Sequence, residues 1–305
     1  MTIARARSSF PGHMQNPMRS LEDLRREIDE IDDAIHDLIM RRAALLGDIA
    51  AAKGAAANGP SGTYLRPARE ALVLRRLIER HRGQFPKPAL VRLWRELISA
   101  PLSLQGAFTA AVYAPDEASG YWDLARDHYG SHTAFVRHHA VGQVIAALGD
   151  GSAVVGILPA IQAEDADPWW QHLIRDDDKG PRIAARLPFA GAGNARDGQA
   201  EALVVGAIVP EPTGRDRSYI AVEIGGELSR TKLRGGLKRS GLEPRLFASW
   251  QPSGEQRRLH LVEIDDFIAP NDARIADFST SMAGMVDRVY FLGSYALPFS
   301  DKELA

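Results

Sequence analysis

The 305-residue sequence contains no cysteine. That excludes disulfide scaffolds and thiolate nucleophiles, and confines any zinc site to His and carboxylate ligands. It also lacks an excess of either charge. Thirty-seven basic against 39 acidic side chains leave a formal net charge of -2, so the chain as a whole has no electrostatic footprint for nucleic acid or an anionic membrane. Long apolar runs are missing too: none reaches the roughly 18 residues of a membrane span, and residues 1–20, with Arg5, Arg7 and Arg19, have no apolar signal-peptide core. The expectation is a cytoplasmic protein with no nucleic-acid or membrane partner. What is present is an ordinary globular mixture, 45% hydrophobic and 25% charged, which excludes disorder as the main state and suffices for more than one core.

After a flexible N-terminus over 1–19, the spacing predicts one long helix. Leu24, Ile28, Ile31, Ile35, Leu38, Arg42, Leu45, Ile49 and Ala52 follow one another by alternating steps of four and three, the seam of a heptad helix. Ser20 with Asp23 offers an N-cap and Gly54 a stop. Such a helix is roughly 50 Å long at 1.5 Å per residue and needs partner helices over its stripe. Pro67 starts a second helix carrying Leu74, Leu77 and Ile78, and Gly83, Pro86 and Pro88 precede a third carrying Leu90, Leu93, Trp94, Leu97 and Ile98. Beyond Phe108 short β-rich runs alternate with helical ones, at 108–113, 121–129, 141–148, 153–158 and 202–208, an α/β texture. From 218 the order strand, helix, strand, strand, helix, strand is the ferredoxin-like arrangement.

Chemistry enters at Arg42, the one charge in an otherwise apolar seam. Such a charge is partnered, exposed at an end, or aimed at a ligand. Arg42, Leu46, Ile49 and Lys53 share one face, and Arg25 stands on the row that leads to Lys53 in steps of seven. Arg69 and Glu70 add a cation and a carboxylate in the first turn of the second helix, and Gln105 closes the third. Taken singly, Arg42 or Lys53 is equally a coiled-coil surface residue snorkelling past the seam. Together the set suits a small dianion carrying a hydroxyl and an ether. His128, His132, His138 and His139 do not fall on one helical face, so no metal is expected.

The strings LRREIDEIDDAIHDLIMRR, the lysine of IAAAKG, YLRPARE and LISAPLSLQ resemble the all-helical chorismate mutase family, in the form fused to prephenate dehydratase. The resemblance implies an intertwined helical homodimer whose shared site converts chorismate to prephenate without a cofactor. By motif it places the arginine contributed across the dimer at Arg25 and the second carboxylate-binding arginine at Arg42. It puts the ether-oxygen donors at Lys53 and Gln105, and the Arg-Glu pair at Arg69 and Glu70. Pro101 stands where the family usually has a small residue, four before Gln105.

The remainder resembles the dehydratase domain and ACT-type regulatory domain of the same fused enzymes, in eroded form. GDGSAVVGILPAIQ and VYFLGSYALP are similar to two of its strands. Glu201, Ala202 and Leu203 replace the threonine-arginine-phenylalanine signature, and Ile161 and Gln162 replace a Glu-Asn pair. Neither replacement offers a ready proton donor for a leaving hydroxyl. Of the effector motifs, near 228–231 and 248–251, only Ser249 is kept. The expected architecture is therefore multidomain: an all-α three-helix mutase domain over 20–106, a truncated dehydratase-like α/β domain over 107–216, and a ferredoxin-like α+β ACT-type domain over 217–305. The function expected is chorismate mutase with a non-catalytic C-terminal region. Its rivals are a bifunctional mutase-dehydratase and a regulatory protein that binds a metabolite without turning it over.

Overall fold

The computed structural model describes residues 19–56, 65–102, 108–116, 120–165, 167–175, 180–193, 200–226, 228–252, 254 and 257–305, with only the backbone described over 50–56. The chain divides into two compact units, Met1–Lys53 and Gly54–Ala305.

The first unit is helix α1, Leu21–Ala56. Ser20 caps it: the hydroxyl accepts the Asp23 N–H at 3.0 Å, and Glu22 and Asp23 set negative charge on the positive end of the helix dipole. The helix runs through Gly54 instead of stopping there. A glycine ends a helix only by turning into left-handed backbone, and otherwise costs about 1 kcal/mol and stays. The seam faces solvent, with Leu24, Ile28, Ile31, Ile35, Leu38, Leu45 and Ile49 between 39% and 63% exposed. Contiguous exposed aliphatic surface of this kind is what interaction faces of proteins commonly carry.

The second unit begins with α2, Pro67–Arg80, and α3, Lys87–Ser99, each with proline in its first two positions, where a missing N–H costs nothing. α3 ends before Pro101, and the chain turns through Ala100 and Pro101. Proline has no N–H with which to continue the ladder, so the regular third helix stops short of Gln105, which lies outside the described residues.

There follow β1 (Thr109–Tyr113), α4 (Gly120–Tyr129), β2 (Ala134–His138), α5 (Val141–Gly149), β3 (Val155–Pro159), β4 (Arg182–Leu187) and β5 (Ala202–Gly206). The last stretch is β6 (Asp216–Ile224), α6 (Arg230–Arg239), β7 (Pro244–Trp250), β8 (Arg258–Ile264), α7 (Ala273–Ser281), β9 (Arg288–Ala296) and α8 (Asp301–Leu304). Among the described residues nine strands join one sheet in the order β2-β1-β3-β5-β4-β9-β6-β8-β7. β1 pairs in parallel with β2 and β3, whereas β3, β5 and β4 are antiparallel. β9-β6-β8-β7 is the antiparallel ferredoxin-like order expected from 218 onward. β2 and β4 were not expected from sequence: Ala134–His138 is a largely exposed edge strand, and Arg182 and Arg186 interrupt the apolar run of β4.

The expected boundary near 217 falls inside this sheet. β4 meets β9 at a single pair, Ile183 with Gly293, next to a register shift between β6 and β9. Gly293 has φ of 136°, and a Cβ there would stand 2.1 Å from the Ile183 carbonyl oxygen and 2.5 Å from its nitrogen. Only glycine lets the two backbones approach so closely.

The Glu211–Gly214 stretch, which reads as a linker, is pinned. Arg75 on α2 is buried and donates to Thr213 Oγ1 at 2.8 Å and to the Arg215 and Leu297 carbonyls at 3.0 Å. Ala71, Leu74 and Ile78 pack beside it on Val91, Phe189, Ala296 and Phe299. The face of α2 that carries Glu70 is thus docked on the end of β9.

Candidate active site

α1 carries three of the residues singled out from sequence. Arg25 is exposed and Arg42 half-buried, its guanidinium held below the usual arginine value by burial. Lys53 lies in the last turns of the helix, where the backbone alone is described. At ~1.5 Å per residue, Arg42 and Lys53 are about 16 Å apart along the axis, and Arg25 and Arg42 about 25 Å. Two long side chains can converge across the first distance. They cannot close the second around one small dianion.

Arg69 and Glu70 are neighbours on α2, about 100° apart around the axis, and the structure separates them: Arg69 is exposed and Glu70 buried. Glu70 Oε2 accepts from Arg95 Nη1 of α3 at 2.7 Å, a buried ion pair. Burial raises the Glu70 carboxyl above its usual value, against the charge and hydrogen bond of Arg95; burial likewise lowers Arg95 against the pull of Glu70. In both shifts burial is the largest cause. Arg95 also lies over the Phe189 ring, 5.0 Å from its centroid. His128 and Tyr129, at the end of α4, complete the surroundings. Burial and the Arg95 charge hold His128 far below the usual imidazole value, and burial raises the Tyr129 phenol well above its own. Both are therefore neutral at physiological pH.

Arg95 was not singled out from sequence, although a signal existed. It stands four residues after Val91 and four before Ser99, both buried, just as Arg75 stands among Ala71, Leu74 and Ile78. A cation on the apolar face of a short helix is the same sign that marked Arg42.

The positions resembling eroded dehydratase motifs come together at one edge of the α/β region. Pro159 pairs with Ala202, and the Ala160 N–H donates to the Glu201 carbonyl at 2.8 Å. Glu201 is ion-paired with Arg186 at 2.8 Å, while Ala202 and Leu203 are wholly buried on β5 and point into opposite cores. A cleft of about 570 Å³ opens beside them at the carboxyl ends of β1 and β3 and the start of α5, lined by Tyr113, Trp169 and His172 but also by Glu164, Asp165 and Asp167. The tryptophans serve mainly the core: Trp170 is fully buried, and Trp169 Nε1 donates to the Pro159 carbonyl at 3.0 Å.

At the positions that resemble the effector motifs, Arg230 reaches Ser249 Oγ at 3.3 Å, and Ser249 is hydrogen-bonded to His260 Nδ1 at 2.8 Å. Among the described residues no three His, Asp or Glu side chains are placed to hold a metal ion, and no helix is long and apolar enough to cross a membrane.

Residues 24–106, which span most of α1 and all of α2 and α3, match the family described as chorismate mutase type II. Among curated proteins the chain is similar to the bifunctional chorismate mutase/prephenate dehydratase of Pseudomonas aeruginosa, 29% identical over 140 residues, covering 46% of this chain and 38% of that protein. It is also similar to the protein of the same description from Aquifex aeolicus, 32% identical over 146 residues, covering 47% of this chain and 39% of that one. The chain thus spans about two fifths of the length of the curated relatives it matches. Among solved structures it is similar to a prephenate dehydratase from Streptococcus mutans, with a TM-score of 0.46 and 14% identity, covering 63% of this chain and 98% of that one.

Proposed function

We propose that this chain is a cytoplasmic chorismate mutase of aromatic amino-acid biosynthesis, working as a homodimer with shared sites, and that its α/β and ACT-like regions do not dehydrate prephenate. The observation that carries the reading is α1 itself. Most of it lies in the region matching chorismate mutase type II, its apolar seam is exposed from Leu24 to Ile49, and its cations are too widely spaced for one chain to use them all. A second copy laid along the seam covers the aliphatic stripe and brings the partner's arginine to the far site.

In this scheme Arg25 of one protomer and Arg42 of the other hold the two carboxylates of chorismate, pressing the enolpyruvyl arm over the ring. Positioning of this kind contributes roughly 7 kcal/mol or more. The ether C–O bond breaks as the new C–C bond forms, with no proton transferred and no covalent intermediate. Lys53 and Gln105 donate to the ether oxygen as negative charge grows on it, Glu70 accepts from the ring hydroxyl, and Arg69 adds positive charge at the rim. The acidic lining of the cleft beside β3, with Ala202 and Leu203 sunk in the core, supports a silent dehydratase region: a dianionic substrate there meets repulsion and few donors.

Shared sites make a distinctive prediction. Arg25→Ala and Lys53→Ala are each nearly inactive as homodimers, but co-expressed chains recover activity. A mixed dimer rebuilds one intact site of two, so random pairing returns about a quarter of wild-type kcat. No recovery from mixed dimers shown to form, or a monomer with full turnover in sedimentation, contradicts the dimer.

A further inference from the structure

We infer that Arg95 is a positioning residue for Glu70, and that the α/β region, through α4 and the loop after β4, holds that arginine in place for the mutase reaction. This rests on the reading above, in which Glu70 accepts from the substrate hydroxyl.

α3 is fastened to α4 at successive points. Arg92 pairs with Asp127 at 2.7 Å, and the Glu96 carboxylate accepts the Ser131 N–H at 2.8 and 3.0 Å. Gly130, at φ 76°, allows the close approach, since a Cβ there would lie 2.5 Å from Glu96 Oε2. Arg95 sits between these anchors, 4% exposed, with Phe189 under its guanidinium. Its Nη1 holds Glu70 Oε2, and among the described residues Glu70 Oε1 has no hydrogen-bond partner. One carboxylate oxygen is thus fixed from behind and the other left to accept. His128 and Tyr129 face the pair as neutral groups, the Tyr129 hydroxyl buried without a partner among the described residues. Arg92, Asp127 and Glu96 are engaged in the α3–α4 contacts, and Arg69 on α2 is exposed. Arg95 is therefore the charge that opposes the effect of burial on Glu70. An ionised carboxylate accepts a hydroxyl hydrogen bond more strongly than a protonated carboxyl does, and without Arg95 the Glu70 carboxyl takes up a proton at higher pH.

The test is the pH profile of kcat/KM with chorismate for wild type, Arg95→Gln, Arg95→Lys and Glu70→Gln. In wild type, activity falls on the acid side as Glu70 protonates. Arg95→Gln should displace that limb to higher pH, losing about tenfold on the limb for each pH unit of displacement and recovering at alkaline pH. Arg95→Lys should displace it less, and Glu70→Gln should have no such limb. A second readout needs no turnover. Because the folded-state value of Glu70 lies above its unfolded value, the native state holds the extra proton. The stability it contributes is complete at low pH and is lost as pH rises through the folded value. Thermal denaturation of Arg95→Gln should show this loss over a wider, more alkaline range than wild type, and the added Glu70→Gln change should remove it.

A limb at the same pH in folded wild type and Arg95→Gln overturns the positioning role and leaves the mutase reading intact. No chorismate turnover by wild type overturns both. If Arg95→Gln does not fold, Arg95→Lys decides: an alkaline displacement supports the role and an unmoved limb overturns it.

Discussion

Lys53→Ala is expected to lower kcat by a factor of about 10²–10³ while changing KM far less, in line with the loss of one donor to a developing oxyanion in a dry site. The asymmetry follows from when the contact matters. In bound chorismate the ether oxygen carries little charge, so the ammonium adds little to binding. As the C–O bond stretches, charge accumulates on that oxygen and the same contact strengthens, so its loss falls on the transition state. Steady-state kinetics on the intact protein separates the possibilities. A rise in KM with kcat unchanged would make Lys53 a substrate anchor, and wild-type values for both would remove it from the site.

Gly293→Ala is expected to destabilise the fold by about 3–5 kcal/mol, through backbone strain and overpacking together. The added methyl falls 2.1 Å from the Ile183 carbonyl oxygen, on backbone at φ 136°, and neither partner is a side chain free to swing away. Among the described residues that is the one registered pair between β4 and β9, so relief requires the two strands to move apart. Gly254→Ala is the control: its backbone is also left-handed, at φ 80°, but none of the described residues lies within 4 Å of the added atom. Thermal or denaturant unfolding of the two variants should show a much larger loss for Gly293→Ala, and equal losses would refute the close-approach argument.

The sequence was most informative where structure is local. α1 follows from heptad spacing and a Ser20 cap, and α2 and α3 from proline starts and one apolar face each. The ferredoxin-like order was legible because its strands are long and alternate cleanly. β2 was not, since Ala134–His138 is short and half its side chains face water. The Ile183–Gly293 joint could not be read at all: the need for glycine at 293 comes from a backbone far away in sequence, and nothing near it announces the partner. Among the candidate site residues, Arg42 and Glu70 stand out by type and spacing. Arg95 carries the same sign, a cation on an apolar helix face, but its burial becomes evident only once α4 and Phe189 are placed over it. The exposure of Arg69 and burial of Glu70 likewise depend on where α2 docks, which helical periodicity alone does not fix.

The most direct measurement is to give purified full-length protein chorismate at neutral pH, follow loss of chorismate absorbance, and assay the products. The account predicts chorismate consumption proportional to protein, equimolar accumulation of prephenate, and no phenylpyruvate above the spontaneous background. Chorismate left unconsumed would contradict the mutase assignment, and phenylpyruvate formed in proportion to protein would contradict the silent dehydratase region.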